Sequence, residues 1–444
     1  MGLRYVSMRT DALDVFPEAT SVAPSGHLVI GGCDTVEMAR RFGTPLYVFD
    51  ERTLRGMCRA FVGEFGRRHP QSQVLYASKA YINPALARIF QEEGLGLDVV
   101  SAGEMAIARA AGFPLERVYF HGNNKGPEEL KLALEWGIGR VVVDNFHELD
   151  LLDRLAREAG KVQDVLVRVS PGVDPHTHAH TTTGILDSKF GMSIQTGQAE
   201  EAVARARKAK GLRLMGLHYH LGSPIFELEP YAQGMKVVLE FAAAMRQRHG
   251  LEMRELSPGG GFAVQYTRQA PPAVGQYAET IVSALRQGCD AHNLPLPRLV
   301  LEPGRAIVGR AGVALYTVGA RKDIPGVRTY VSVDGGMGDN IRPAIYSSEY
   351  EALVANKAGA APAEKVTIAG KYCESGDILL KDIVLPPLEP GDVLAVPASG
   401  AYCLSMASNY NASLKPAIVL VKDGQARLIR RRETFDDLLR CDVY

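Results

Sequence analysis

The sequence predicts an α/β protein, a TIM-type (β/α)8 barrel joined to a second, β-rich domain formed by the C-terminal part and the N-terminal segment. Three observations predict it. The 444 residues exceed what one hydrophobic core normally supports. Between about residues 74 and 303, short apolar runs alternate with longer amphipathic segments, the pattern of repeated strand-helix units on a parallel sheet. After about Ala306 the helical periodicity fades, and runs such as VALYTV, TYVSVDG and DVLAVPA stand between Gly and Pro punctuation.

Residues 1–45, with VAPSGHLVIGG and little helical pattern, read as an N-terminal segment packing with the β domain. The barrel is placed at 46–305. Its strands are expected around 74–77, 97–100, 118–120, 140–143, 165–169, 214–219, 255–256 and 298–301, and eight is the number that closes such a barrel. Asn83-Pro84 supplies a helix cap and first-turn proline, while Ser101 with Glu104 and Asn145 with Glu148 have capping-box spacing. Between Ser170 and Gly211 the stretch DPHTHAHTTTGILDSKFGM reads as a loop insertion, followed by a helix from about Thr196 to Lys210. Residues 306–444 form the C-terminal β-rich domain.

Lys plus Arg equals Asp plus Glu at 50 each, so no excess charge is available to hold a nucleic acid or an anionic membrane. Arg427, Arg430, Arg431 and Arg432 are followed by Glu433, Asp436 and Asp437, which makes a solvated face. No apolar stretch approaches the roughly 20 residues that cross a bilayer. The six cysteines lack CxxC pairs, and no cationic stretch precedes a long apolar run near the start; a cytoplasmic chain with reduced thiols is expected. The expected partner is a small-molecule substrate.

Barrel enzymes build their sites at the C-terminal ends of the strands. The residues expected there are Lys79, Asp98 and Ser101, His121 and Asn123, Asp144, Ser170, His218 and His220, Gly259-Gly260-Gly261, and Glu302 with Arg305. A lysine, a glycine-rich turn, a histidine and an EPGR tetrapeptide on one face suggest a phosphorylated cofactor bound through an imine. Glycines let backbone N–H groups approach a phosphate. Lys79 is suited to the imine once a partly desolvated, cation-rich site lowers its pKa. Glu302 is suited to pair with a pyridine nitrogen, and His220 to stack on the ring. Taken singly each feature has an ordinary reading, as a surface lysine, a tight loop or a structural histidine. Their joint order carries the inference.

The sequence resembles the diaminopimelate decarboxylase family, in the alanine-racemase-like group of pyridoxal-phosphate (PLP) enzymes that includes ornithine and arginine decarboxylases. The matching segments are YASKA at 76–80, LDVVSAGE at 97–104, HGNNK at 121–125, DSKFGM at 187–192, GLHYHLGS at 216–223, GGGF at 259–262, EPGR at 302–305, RPAIY at 342–346, CESGD at 373–377 and GAYCLSMASNYN at 400–411. They span nearly the whole chain in the family's order. The resemblance implies decarboxylation of meso-2,6-diaminopimelate to lysine with PLP as cofactor. It makes Lys79 the lysine bonded to PLP, His220 the ring-stacking residue and Glu302 the pyridinium partner. Asp98, Ser223, Gly259, Gly260, Gly261, Gly304, Arg305 and Tyr402 would complete the cofactor site. Arg305, Arg342 and Tyr346 would hold the far carboxylate of the substrate, Glu374 the far amine, and Tyr402 both cofactor and substrate. Cys373 would deliver the proton. The resemblance further implies a homodimer in which Cys373 and Glu374 enter the partner's site.

Pro224 stands where the family often has glutamine, and Ser347-Ser348 where a small Gly-Ala pair is usual. His176, His178 and His180 have the spacing of ligands on one face of a strand, but they fall in the insertion, and no metal is expected. The competing expectations are a decarboxylase of D-ornithine, D-lysine or a related amino acid, and an inactive homologue that only binds a partner.

Overall fold

The computed structural model describes residues 13–173 and 188–443. These divide into two compact units. One comprises the described residues within Cys58–Ala263 and Pro271–Gly304; the other comprises the described residues up to Met57, the segment Val264–Ala270, and Arg305 onward.

The first unit is a closed parallel barrel. Its strands, in chain order, are Ser72–Ala77, Gly96–Val99, Val118–Phe120, Arg140–Val143, Gln163–Ser170, Leu212–His218, Glu255–Gly259 and Arg298–Leu301. Each pairs in parallel with the next, and the eighth pairs with the first, Leu299 lying against Ser72. All eight expected strands are present. Their apolar runs are continuous because both faces are covered, one by the helices and one by the barrel interior. In the first strand Tyr76 stacks at 3.9 Å on Phe90 of the helix Pro84–Glu92, so alternation turns Leu75 inward. Leu75 joins Tyr119, Val142, Leu166, Met215 and Val300 in one buried cluster.

The helix starts follow the capping pattern with one difference. Asn83 Oδ1 accepts from the Leu86 N–H, and Ser101 Oγ and Asn145 Oδ1 accept from the Glu104 and Glu148 N–H groups. The two glutamates, however, reach back past their own caps to the N–H groups of Val100 and Asp144. They tie down the strand ends. The helix expected at about Thr196 runs from Gln198 to Lys208.

The N-terminal mouth of the barrel is closed by ion pairs. Buried Glu255 accepts from Tyr119 Oη at 2.9 Å and from Arg140 through two nitrogens, at 2.7 and 3.1 Å, while Arg140 also meets Asp164 at 2.8 Å. Removing one partner strands a buried charge, which costs about 3–5 kcal/mol. Arg140→Leu is therefore expected to lower the urea midpoint by a loss of that order, with turnover per folded molecule unchanged.

The second unit is built on a sheet whose path runs Ile378–Leu385, Glu364–Ala369, Arg328–Val333, Gly312–Ile324, Leu46–Asp50, Ala417–Lys422, Gln425–Arg430. Leu46–Asp50, inside the range expected for the barrel, pairs antiparallel with Gly312–Ile324 and parallel with Ala417–Lys422. All five of its residues are buried, so its sequence lacks the alternation of an edge strand. Thr20–Val22, Leu28–Ile30 and Cys33–Asp34 form a separate three-stranded sheet. Phe16, Leu28 and Ile30 share a core with Leu46, Val48, Val313, Leu315 and Val419. No helix among the described residues is long and apolar enough to cross a membrane.

Candidate active site

The C-terminal ends of the barrel strands bring one group of polar side chains together. Lys79 is exposed in the short 3-10 turn Ser78–Ala80 that follows the first strand, and its charge acts on Asp98, Glu104 and His220. Glu302, from the end of the eighth strand, is buried. It accepts from Ser257 Oγ at 2.8 Å and from His218 Nε2 at 3.1 Å. His121 Nε2 lies 3.6 Å from Glu302 and 3.7 Å from Asp98, and its ring meets that of His218 edge-on at 4.9 Å. Arg168 of the fifth strand is close enough for its charge to act on Asp98 and His220.

Environment separates the two buried carboxyls. Burial, with the Glu302 charge adding, pushes Asp98 well above its ordinary range although Lys79 opposes the shift. Burial also works upward on Glu302, but His218, His121 and the hydrogen bonds from His218 and Ser257 outweigh it and hold that group below the ordinary range. The two environments push in opposite directions, Glu302 toward its ionised form and Asp98 toward its neutral one. Glu104 is pushed up to about 7, chiefly by burial. Burial lowers His121 and His220 well below the usual imidazole range, and both are neutral near pH 7. The Gly260 N–H donates to His220 Nδ1 at 3.3 Å, which leaves the ring hydrogen on Nε2.

Sterics account for the glycine triplet. A Cβ at Gly260 would stand 2.2 Å from the Glu302 carbonyl oxygen, and one at Gly261, where φ is +95°, 2.5 Å from that of Gly222. The Gly259 N–H donates to Ser257 Oγ at 3.1 Å. Gly261 is thus the member of the triplet whose amide donates to nothing among the described residues. Gly304 lies where a Cβ would come 3.0 Å from Ala77 Cβ, and Ser223 is exposed in the loop after the sixth strand.

The second unit holds its own cluster. Arg342, 5% exposed, donates to Tyr350 Oη at 2.6 Å, and its guanidinium carbon sits 4.6 Å above the Tyr266 ring. Arg305 donates to Tyr266 Oη at 2.8 Å and lies 4.7 Å over the ring of Tyr402, a residue with φ of +61°. Among the described residues no carboxylate pairs with either arginine, and Arg305 Nε is buried without a partner. Cys403 is buried beside Tyr350, and burial pushes its thiol up to about 11.

Cys373 and Glu374 are exposed on a turn, where the Cys373 N–H donates to Asn411 Oδ1 and Glu374 accepts from Ser375 and Gly376. Neither touches Arg342. Tyr346 is 62% exposed at the end of the helix Arg342–Tyr346. Ser347 follows it at φ +50°, which explains why a glycine suits that position. His176, His178 and His180 lie outside the described residues.

Residues 52–309 match the family described as "Pyridoxal-dependent decarboxylase, pyridoxal binding domain". The diaminopimelate decarboxylase of Bacillus subtilis (strain 168) is 46% identical over 419 residues, covering 94% of this chain and 95% of that protein. That of Actinosynnema pretiosum subsp. auranticum is 48% identical over 422 residues, covering 94% and 93%. This chain belongs to the diaminopimelate decarboxylase family. The crystal structure of the M. jannaschii family member in complex with L-lysine superposes with a TM-score of 0.90 at 34% identity, covering 96% of this chain and 98% of that one.

The cofactor of the family is pyridoxal phosphate, and the barrel fits it. Ser78 Oγ, Asp98 Oδ1, His121 Nε2, Asp144 Oδ2, His218 Nδ1 and Tyr219 Oη, all at strand ends, are buried without hydrogen-bond partners among the described residues. Buried polar atoms in that state call for a polar ligand. His121, His218 and Glu302 also have ligating atoms within 4.8 Å of one another. In this diaminopimelate decarboxylase family member Ser257 donates to one Glu302 oxygen and His218 to the other, so the trio reads as a hydrogen-bonded support that orients the carboxylate and leaves it lone pairs to offer a ligand.

Sequence reading missed Ser257, Arg168, Tyr266 and Tyr350. Arg168 sits inside an apolar strand run, where nothing but the break in hydrophobicity marks it, and Ser257 follows the expected strand 255–256 in the sequence ELSPG, where a serine carries no signal of its own. Tyr266 and Tyr350 have no spacing signal, because they meet the arginines through tertiary contacts.

Proposed function

We propose that the protein decarboxylates meso-2,6-diaminopimelate to lysine and carbon dioxide in the cytoplasm, where its six free cysteines remain reduced. The observation that carries the substrate is the pair Arg305 and Arg342, the first half-buried with its Nε atom enclosed and the second buried, neither with a carboxylate partner among the described residues. Burying a guanidinium without a counter-ion is costly, and a second substrate carboxylate supplies one. Bound pyridoxal phosphate supplies the electron sink for the departing carboxylate.

Lys79 would hold the cofactor covalently. Ionised Glu302 would keep the cofactor's ring nitrogen protonated, its carboxylate fixed for that task by two hydrogen bonds. Asp98 is held toward its neutral form. His220, uncharged and fixed through Gly260, would stack on the ring without adding a competing cation. Ser223, Gly259, Gly260, Gly261, Gly304, Arg305 and Tyr402 would complete the cofactor site. Arg305, Arg342 and Tyr346 receive the far carboxylate, Glu374 the far amine, and Tyr402 the substrate as well as the cofactor.

Cys373 protonates the carbon that has lost its carboxylate, in the site of a partner subunit, with Glu374 beside it. Both face solvent in their own chain, which supports that reading. Cys373→Ala is expected to slow turnover by about 10²–10⁴-fold, the range for a positioned acid, while cofactor absorbance is kept. Mixing it with a Lys79→Ala chain is expected to restore about one quarter of wild-type activity, because half the random dimers regain one intact site. No restoration would place each site within one chain.

The deciding measurement follows carbon dioxide and lysine from meso-diaminopimelate beside D-lysine, with PLP added. Equal release from both removes the role of the arginines, and release from neither refutes the decarboxylase.

A further inference from the structure

The segment Val264–Ala270 leaves the barrel unit just after the glycine triplet and belongs to the other unit, carrying Tyr266 with it. There one phenol serves two arginines. Its oxygen accepts from Arg305 Nη1 at 2.8 Å, and its ring lies 4.6 Å from the Arg342 guanidinium carbon and 5.7 Å from that of Arg305. The ring is itself fixed edge-on against Tyr350 at 5.4 Å and 84°, and Tyr350 Oη takes the Arg342 Nη1 hydrogen. We propose that Tyr266 is a positioning residue for substrate specificity: it holds Arg305 and Arg342 at the spacing that lets both grip the far carboxylate. The inference rests on the decarboxylase reading above.

Two guanidiniums brought to one place repel each other, and each long side chain has rotamers to lose. An aromatic face attracts one cation while the hydroxyl on its rim fixes the other, so Tyr266 opposes both costs before substrate arrives. Burial pushes its phenol up, with both arginines opposing, and the group stays neutral. A neutral phenol that accepts from Arg305 still has its own hydrogen to give, and no acceptor for it stands among the described residues. The hydroxyl is therefore a third donor for the same carboxylate. A merely structural tyrosine would stabilise the fold without distinguishing ligands that carry this carboxylate from ligands that lack it.

The test uses the PLP-loaded enzyme with Tyr266→Phe and Tyr266→Leu. The probes are L-lysine, which retains the far carboxylate, and 1,5-diaminopentane, which lacks it; binding of each is read from the cofactor absorbance. Tyr266→Phe keeps the ring and loses the hydroxyl. It is expected to weaken L-lysine about tenfold and raise KM for meso-diaminopimelate by a similar factor, with kcat within about twofold. Tyr266→Leu, which loses the ring too, is expected to weaken L-lysine about a hundredfold. Binding of 1,5-diaminopentane stays unchanged in both. Equal weakening of the two probes, or no weakening of L-lysine, overturns the proposal. The wild-type arm separates the two readings: a wild-type enzyme inactive on meso-diaminopimelate refutes the decarboxylase, while the ratio of the probes still reports on Tyr266.

Discussion

Lys79→Ala lowers turnover by roughly 10⁴-fold or more and removes the absorbance of covalently held cofactor, even with PLP in excess. The size of the effect follows from the position. Lys79 sits in a tight turn at the end of the first strand, where its charge reaches Asp98, Glu104 and His220. Of the described lysines, Lys79 is the one whose charge acts on all three, although the charge of Lys125 reaches His121. Lys125, the nearest candidate by sequence, is buried against Glu148 at 2.7 Å and bonds the Gly122 and Val142 carbonyls. It pins the loop after the third strand to the fourth. Cofactor absorbance that survives in Lys79→Ala would assign the attachment elsewhere.

Glu302→Gln is expected to cost about 10²–10³ in kcat, the range for removing one preorganised electrostatic group, with the cofactor still attached. Two losses combine. The amide has no charge with which to keep a ring nitrogen protonated, and its NH2 must face either Ser257 Oγ or His218 Nε2, both of which donate to the carboxylate now. Either His218 faces a donor or the Ser257 hydroxyl turns to accept and leaves its own hydrogen unpaired, and a buried donor without an acceptor costs about 1–3 kcal/mol, so stability falls as well. Steady-state kinetics at saturating substrate, beside the absorbance spectrum, separates this outcome from simple loss of cofactor. Wild-type kcat would remove Glu302 from the chemistry.

The barrel was legible because its physics is local. Strands covered on both faces leave apolar runs, and Asn83, Ser101 and Asn145 announce the helices between them with their own side chains. Lys79, His121 and Glu302 were legible because each falls just past such a run, and Asp98 and His218 because each is a polar residue near the end of one. The rest depended on tertiary contact. Glu104 and Glu148 have capping-box spacing, yet their carboxylates serve Val100 and Asp144, a choice fixed by how strand and helix meet. Leu46–Asp50 is as apolar as a barrel strand, and nothing in its composition tells which sheet it completes. Tyr266 gains its meaning from two arginines distant in sequence, and Tyr350 from Arg342, which an intervening helix and turn bring to it.

The strand Leu46–Asp50 also constrains the order of assembly. It lies in the middle of its sheet, with Leu46 opposite both Leu315 and Ala417. A ribosome delivers this strand early and its two neighbours only after the entire barrel has emerged. The barrel's pairings are mostly between consecutive strands and can form in the meantime, whereas this strand must wait, apolar on both faces, for the end of the chain. Synthesis that stops before Ala417 leaves a finished barrel attached to an unfinished sheet, the kind of exposed edge on which chaperones act.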